Sequence, residues 1–84
     1  MPELSITTIT LNGVTRTLKP GQSVADLVSA LTGRRITDDG RSADGSKLGI
    51  AVARNAHVVP RSQWSTTVLE AADDIEIVTA AQGG

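Results

Sequence analysis

The sequence contains no cysteine. A chain without thiols forms no disulfide bonds and offers neither a thiolate nucleophile nor cysteine ligands for zinc. It also has no side chain that could carry a persulfide. Any chemistry of this protein must therefore use other groups.

Aromatic residues and excess charge are also scarce. The chain has no Phe or Tyr, a single tryptophan, Trp64, and eight basic against nine acidic residues, for a formal net charge of -1. Nucleic-acid binding draws on a positive field and on aromatic side chains that stack on bases. We therefore do not expect nucleic acid as a partner.

Long apolar runs are missing as well. No stretch approaches the ~18 consecutive apolar residues of a membrane span, and the N-terminal residues do not show the pattern of an export signal. We expect a cytoplasmic protein with no membrane partner. At 84 residues the chain is long enough for one domain, and a domain of this size buries roughly 60–65% of its unfolded surface.

The first part of the chain predicts a β-hairpin. Asn12-Gly13 accepts the positive φ angles of a two-residue type I′ turn. This turn pairs Leu11 with Val14 and, two residues further along, Ile9 with Arg16. Aliphatic side chains then share the core face (Ile9, Leu11, Val14 and Leu18), and threonines share the solvent face (Thr8, Thr10, Thr15 and Thr17).

A helix is predicted after Pro20-Gly21. Ser23 is a candidate N-cap, and Asp26 three residues later completes an acidic variant of the capping box. Apolar residues follow at helical spacing (Val24, Leu27, Val28 and Leu31). Gly33 stands where helices commonly end, so we expect a helix of about ten residues that covers one face of the sheet.

Residues 50–54 and 57–59 predict a second hairpin with a tight turn at Asn55-Ala56. Alanine costs on the order of 1 kcal/mol more than glycine where φ is positive, so Ala56 is an unusual choice for this turn. Pro60 ends the second strand because it cannot donate to a ladder. Residues 61–64 predict a single helical turn.

The last strand is predicted at residues 75–79, with Ile75 and Ile77 inward and Val78 outward. The chain therefore predicts an α+β domain over residues 1–79, in which a mixed sheet of four to five strands carries one main helix on one face. Residues 80–84 follow this domain as a predicted flexible Gly-Gly tail.

A long segment at 34–48 interrupts this pattern and is rich in glycine and in charges of both signs. Connections of this length without structure are usually disordered or functional. We favour a mobile loop. The alternative is a specificity loop that carries Arg34, Arg35 and Arg41 toward a partner.

Side chains that could catalyse a reaction are poorly placed. The one histidine, His57, lies beside a predicted turn, and no serine has a Gly-x-Ser-x-Gly context. The pairs Asp38-Asp39 and Asp73-Asp74 are better explained as turn formers than as calcium ligands. We expect no catalytic residue, no metal site and no bound cofactor, and hence a protein that is not itself an enzyme.

The last residues offer a different kind of reactive group. Gly83 and Gly84 have no Cβ, so another protein could close around their backbone, and the α-carboxylate of Gly84 is ionised at neutral pH. The alternative for this tail, Gln82, Gly83 and Gly84 included, is a frayed end without function.

Two segments resemble a known family. The runs Val58-Val59-Pro60-Arg61-Ser62-Gln63-Trp64 and Glu76-Ile77-Val78-Thr79-Ala80-Ala81-Gln82-Gly83-Gly84 are similar to those of the bacterial thiamine-biosynthesis sulfur carriers, the ThiS family of ubiquitin-like β-grasp proteins. The resemblance covers nearly the whole chain except the 34–48 loop. Ala56 and Ala72 depart from the family, in which glycine is usual in these turns.

The resemblance implies a reaction cycle on Gly84. An E1-like (ThiF-like) adenylyltransferase would use ATP to adenylate the carboxylate, a sulfur donor enzyme would convert the adenylate to a thiocarboxylate, and a ThiG-like thiazole synthase would take the sulfur. Val58 and Val78 are then candidates for the surface that docks on these partners. Trp64 is a further docking candidate, although we favour the alternative that it is the single aromatic residue of the core.

Three other functions stay open. The small subunit of molybdopterin synthase shares the fold and the Gly-Gly end, although the tail here lacks the proline-rich approach of that subunit. A ubiquitin-like modifier would be attached to lysine side chains instead. A plain interaction module would keep its function without Gly83 and Gly84.

Overall fold

The computed structural model describes residues 6–38, 40–43 and 49–79. Its elements are, in chain order, β1 (Thr7–Leu11), β2 (Val14–Leu18), α1 (Val24–Thr32), β3 (Ile50–Arg54), β4 (His57–Val59), a turn of 3-10 helix (Arg61–Gln63) and β5 (Asp74–Thr79). The strands form one five-stranded sheet in the order β2-β1-β5-β3-β4. Only the pairing of β1 with β5 is parallel. The mixed sheet and the single α-helix confirm the predicted α+β class.

The first hairpin has the predicted register. Leu11 pairs with Val14 and Ile9 with Arg16, and Asn12 and Gly13 occupy the turn with φ angles of 50° and 84°. The prediction for one side chain is wrong, because Val14 is 62% exposed. β2 is an edge strand, and Val14 at its first residue lies outside the core cluster.

The helix begins and ends where the sequence predicts. The Ser23 N–H donates to Asp26 Oδ2 (2.9 Å) and the Asp26 N–H donates to Ser23 Oγ (3.1 Å), so the capping box is complete. Gly33 ends the helix in the left-handed conformation, with a φ of 72°, and its N–H donates to Ser29 O (2.9 Å).

The buried face of α1 is shifted toward its N-terminal end. Val24, Leu27 and Val28 are buried as predicted, whereas Leu31 in the last turn is 43% exposed. Ala25 is buried in its place, and its N–H donates to Trp64 O (3.0 Å). The helix is therefore held most firmly at its first turn, and the prediction that Leu31 joins the core is wrong.

Trp64 fills the centre of this small core with no exposed surface (0%). Its indole N–H donates to Val59 O (2.9 Å), which satisfies the polar atom that a buried tryptophan carries. The Arg61 guanidinium lies over the ring, 5.2 Å from its centroid. The rest of the core comes from the sheet, the helix and residue 69 (Ile9, Leu11, Val24, Ala25, Leu27, Val28, Val52, Val59, Leu69 and Ile75).

Part of the 34–48 segment lies against the turn of 3-10 helix. Ile36 packs on the core and forms an isolated bridge with Ser42. Gly40 is buried against Arg61, so close that a Cβ on Gly40 would lie 2.5 Å from Arg61 Cβ and Arg61 O. The Arg61 guanidinium donates to Gly40 O (3.4 Å). Residues 39 and 44–48 lie outside the described residues, and mobility of the segment stays a prediction.

Two turns hold an alanine with a positive φ angle. Ala56 between β3 and β4 and Ala72 before β5 both have a φ of 71°, a region that costs an L-residue with a Cβ roughly 1–2 kcal/mol relative to glycine. Both residues are exposed, so their side chains contribute no packing to offset this strain.

We expect Ala56→Gly and Ala72→Gly each to raise the free energy of unfolding by roughly 0.5–1 kcal/mol, because relief of the strain exceeds the added entropy of glycine in the unfolded chain. Urea denaturation measures the change. Ala30→Gly, at an exposed site within α1, is the control and should lower stability by about 1 kcal/mol. Equal destabilisation by all three variants would contradict the interpretation.

Candidate functional site

The last described element, β5, is the middle strand of the sheet. β5 pairs with β3 from Arg54↔Ile75 to Ile50↔Thr79, and so it stays paired up to the last described residue. Residues 80–84, including the predicted tail residues Gln82, Gly83 and Gly84, lie outside the described residues. The predicted tail therefore follows directly on Thr79, a residue that is paired in the sheet.

An exposed apolar surface lies on the face of the sheet opposite α1. The register pairs Ala53 with Val58 on one side and with Glu76 on the other, so the exposed Glu76 also lies on this face. The four apolar residues Ala51, Ala53, Val58 and Val78 share the face, because Ala51 pairs with Val78 and the neighbouring residue Val52 points into the core. We call them the outer patch. Val58 is 75% and Val78 62% exposed, and the alanines between them make the surface flat.

The structure separates the three predicted docking residues. Val58 and Val78 lie together on the outer patch. Trp64 does not, because its side chain is fully buried on the other side of the sheet, below Val59. The prediction of Trp64 as a docking residue is corrected, and the alternative, that it is the aromatic residue of the core, holds.

A buried carboxylate anchors the start of β5. Asp73 is only 5% exposed. Its Oδ2 accepts from Arg54 Nε (2.8 Å) and from the Glu70 N–H (2.8 Å), and its Oδ1 accepts from Asn55 Nδ2 (3.1 Å). Asn55 Oδ1 in turn accepts from the Asp74 N–H (2.9 Å). The cluster ties the β3–β4 turn to the first residue of β5.

The prediction that Asp73 and Asp74 form a turn is wrong for Asp74, which is the first residue of β5, and it missed the role of Asp73 as an anchor. Nothing in the sequence signals that Arg54 and Asn55 lie beside it, since 18 or more residues separate them along the chain. Burial raises the pKa of Asp73, and the hydrogen bonds from Glu70, Arg54 and Asn55 outweigh it, so that the pKa lies below its usual value.

An open cleft of about 310 Å³ lies beside β4, lined by side chains that include Arg54, His57 and Gln63. His57 is the exposed first residue of β4 and lies beside the turn, as predicted. Its Nδ1 lies 3.0 Å from Asn55 O. Over residues 6–38, 40–43 and 49–79, no three His, Asp or Glu side chains are close enough to share a metal ion. Within the same ranges, α1 is too short to cross a membrane.

Comparison with known proteins assigns the chain to a family. A family model described as the ThiS family matches residues 9–84. The chain belongs to the ThiS family. Proteins of this family are small sulfur carriers in thiamine biosynthesis, and the chain is accordingly a carrier protein that works with partner enzymes of that pathway.

A solved structure supports the fold of this ThiS-family chain. It is similar to the crystal structure of the thiamine biosynthesis protein ThiS from Geobacter metallireducens, with a TM-score of 0.65, at 24% sequence identity over 93% of this chain and 100% of that one. The likeness confirms the β-grasp fold. No curated protein matches the chain.

We expect Asp73→Asn to lower the free energy of unfolding by about 2 kcal/mol at neutral pH. The carboxylate oxygens now accept hydrogen bonds from several donors, and in the variant an amide nitrogen, itself a donor, would face some of them. The depressed pKa of Asp73 stabilises the fold above the unfolded value of about 4, and this contribution is lost as the pH falls through the lower folded value. Urea denaturation between neutral pH and pH ~3 measures both effects.

The difference in free energy of unfolding between the wild-type chain and Asp73→Asn should therefore become smaller below pH ~4. Asp38→Asn, at an exposed position of the 34–43 segment, is the control and should leave stability nearly unchanged. A difference for Asp73→Asn that stays constant over the whole pH range would contradict the assignment of the ionised carboxylate as the anchor.

Proposed function

We propose that the chain carries sulfur as a thiocarboxylate on the α-carboxylate of Gly84. The observation that carries the proposal is the match to the ThiS family, which extends through residue 84. It is supported by the position of β5, whose paired end at Thr79 leads into the tail. The absence of cysteine leaves the terminal carboxylate as the group that can hold the sulfur.

The chemistry assigned to Gly84 needs activation by a partner. A carboxylate is a poor electrophile because neither oxygen is a good leaving group. An E1-like, ThiF-like adenylyltransferase would transfer AMP from ATP to the Gly84 carboxylate and release pyrophosphate. A sulfur donor enzyme would then supply the sulfur that displaces AMP, and a ThiG-like thiazole synthase would accept it. We propose that this ATP-dependent cycle runs in the cytoplasm.

The chain's own contribution to this cycle is access. Gly83 and Gly84 have no Cβ, so a narrow channel in the partner can enclose their backbone and bring a nucleophile to the Gly84 carbonyl. Fully extended, the five residues from 80 to 84 span roughly 17 Å at ~3.3–3.6 Å per residue. This reach allows the tail to enter the partner's active site while the domain stays outside.

Incubation of the chain with a ThiF-like adenylyltransferase, ATP and a sulfur donor should therefore replace one oxygen at Gly84 by sulfur. Intact-protein mass spectrometry detects the change, and fragmentation assigns it to the last residue. A chain that lacks Gly83 and Gly84 is the matched control. It should stay folded, as judged by circular dichroism, and gain no sulfur.

Two results would count against the proposal. One is an unchanged mass under conditions that load an established ThiS protein. The other is full activity of a variant with an additional alanine after Gly84, because the Gly84 carboxylate would then be part of a peptide bond and could not be adenylated.

We further propose that the outer patch is the docking surface for these partners. Exposed apolar side chains grouped on one face commonly mark interaction sites. Val78 lies next to the start of the tail, so a partner that grips residues 80–84 must also cover this neighbourhood. Val58 extends the same surface to the edge strand β4.

We expect Val78→Asp to lower kcat/KM for adenylation about tenfold or more, because a buried charge replaces an apolar contact at the interface. Val14→Asp is a matched control: Val14 is also a strand valine and is also 62% exposed, but it lies on the edge strand β2, two strands away from β5. Val14→Asp should behave like the wild-type chain. Similar losses for both variants would contradict the assignment of the outer patch.

A further inference from the structure

Asn12 makes contacts that its place in the hairpin turn does not require. The parallel pairing of β1 with β5 covers two positions, Thr10↔Asp74 and Leu11↔Ile75, and the Asn12 N–H adds a bond to Ile75 O (2.9 Å). The chain then turns away at Asn12 and Gly13, whereas β5 continues to Thr79. The β1 backbone thus leaves β5 well before β5 ends.

The Asn12 side chain continues the ladder beyond this point. The Ile77 N–H donates to Asn12 Oδ1 (2.8 Å), and Asn12 Nδ2 donates to Ile77 O (3.3 Å). A carboxamide has the same donor and acceptor groups as a peptide unit. Asn12 therefore occupies the place of the next strand residue beside β5, and Ile77 is held from this side as well as by the pairing of β5 with β3.

The chemistry of the turn does not explain this choice of residue. Asparagine, aspartate and glycine all suit the first position of a type I′ turn. Among these three, glycine has neither group, and aspartate could accept from the Ile77 N–H but would set its second oxygen against Ile77 O. Only asparagine forms both bonds.

We propose that Asn12 is a positioning residue, which holds the end of β5 through Ile77 and so fixes the direction in which the tail leaves the domain. The inference rests on the proposed function in one respect, because direction matters only if a partner must receive residues 80–84. The ends of strands fray unless they are held. Asn12 suppresses this fraying two residues before the last described residue of the strand.

The test compares Asn12→Gly and Asn12→Asp with Gly13→Ala. Glycine at position 12 keeps the turn and removes both bonds, and aspartate keeps one of them. Gly13→Ala is the matched control, because it strains the same turn at a φ of 84° while an added Cβ meets no atom within 4 Å. It therefore perturbs the hairpin without touching the Asn12 side chain.

The first readout needs no partner enzyme. In the wild-type chain we expect ¹⁵N order parameters of about 0.85 at Ile77, Val78 and Thr79, the value of a rigid backbone, and in Asn12→Gly a decrease at Val78 and Thr79 toward ~0.6. Asn12→Asp should lie between them, and Gly13→Ala should match the wild-type chain. Unchanged order parameters in Asn12→Gly, or an equal decrease in Gly13→Ala, would overturn the inference.

The second readout is adenylation by the partner. A tail that points in many directions reaches the channel less often but reacts normally once bound, so Asn12→Gly should raise KM about tenfold with kcat unchanged. Equal kinetics of Asn12→Gly and an active wild-type chain would overturn the inference. A wild-type chain that is not adenylated at all refutes the proposed function instead, and the order parameters then decide the role of Asn12 alone.

Discussion

The structure depends on the pairing of β5 with two strands that are distant from it in sequence. β1 and β2 form one local hairpin, and β3 and β4 form another. Isolated two-stranded hairpins are at best marginally stable in water. β5 lies between them, parallel to β1 and antiparallel to β3, and turns two hairpins into one sheet that α1 can cover. The strand that carries the tail is thus also the strand that completes the fold.

This arrangement links stability to function. The start of β5 is fixed by the buried carboxylate of Asp73, its middle by β3, and its exit by the carboxamide of Asn12. Each of these contacts joins β5 to an element on either side of it. Under the proposed function the reacting group is the Gly84 carboxylate, and a carrier of that kind would need a firmly held strand before its tail.

The two faces of the sheet have different tasks. The inner face supplies the core. A domain of this size buries little surface, so a loss of core packing strongly lowers its stability. Trp64 is its single aromatic side chain among the described residues; its indole N–H donates to Val59 O, and its backbone carbonyl accepts from the Ala25 N–H. A tryptophan in this position cannot also contact a partner. The outer face needs no core residues, and its valines and alanines are therefore available for docking.

The described part of the 34–48 segment contacts residues 61–65. Gly40 lies against Arg61 with no space for a side chain, and Ser65 Oγ donates to Asp38 O (3.2 Å). This segment therefore packs on the turn that carries Trp64. Arg34, Arg35 and Arg41 are all exposed, and the alternative of a specificity loop stays a prediction.

Local chemistry explains what the sequence by itself determined. The Asn12-Gly13 turn, the Ser23 and Asp26 capping box, the Gly33 helix end and the alternation in β1 each depend on residues within a few positions of one another, and the structure confirms all of them. The tail residues Gln82, Gly83 and Gly84 are also predicted from the sequence alone; they lie outside the described residues, so this assignment stays a prediction.

Only the tertiary structure decided which predicted apolar residues reach the core and which polar residues meet. Val14 and Leu31 follow the apolar pattern, yet an edge strand and a last helical turn leave them exposed. Trp64, the Asp73 cluster and the bonds from Asn12 to Ile77 join residues up to 65 positions apart. Periodicity records which face a residue shares with its neighbours in sequence, whereas burial and pairing at this distance depend on how the two hairpins close around β5.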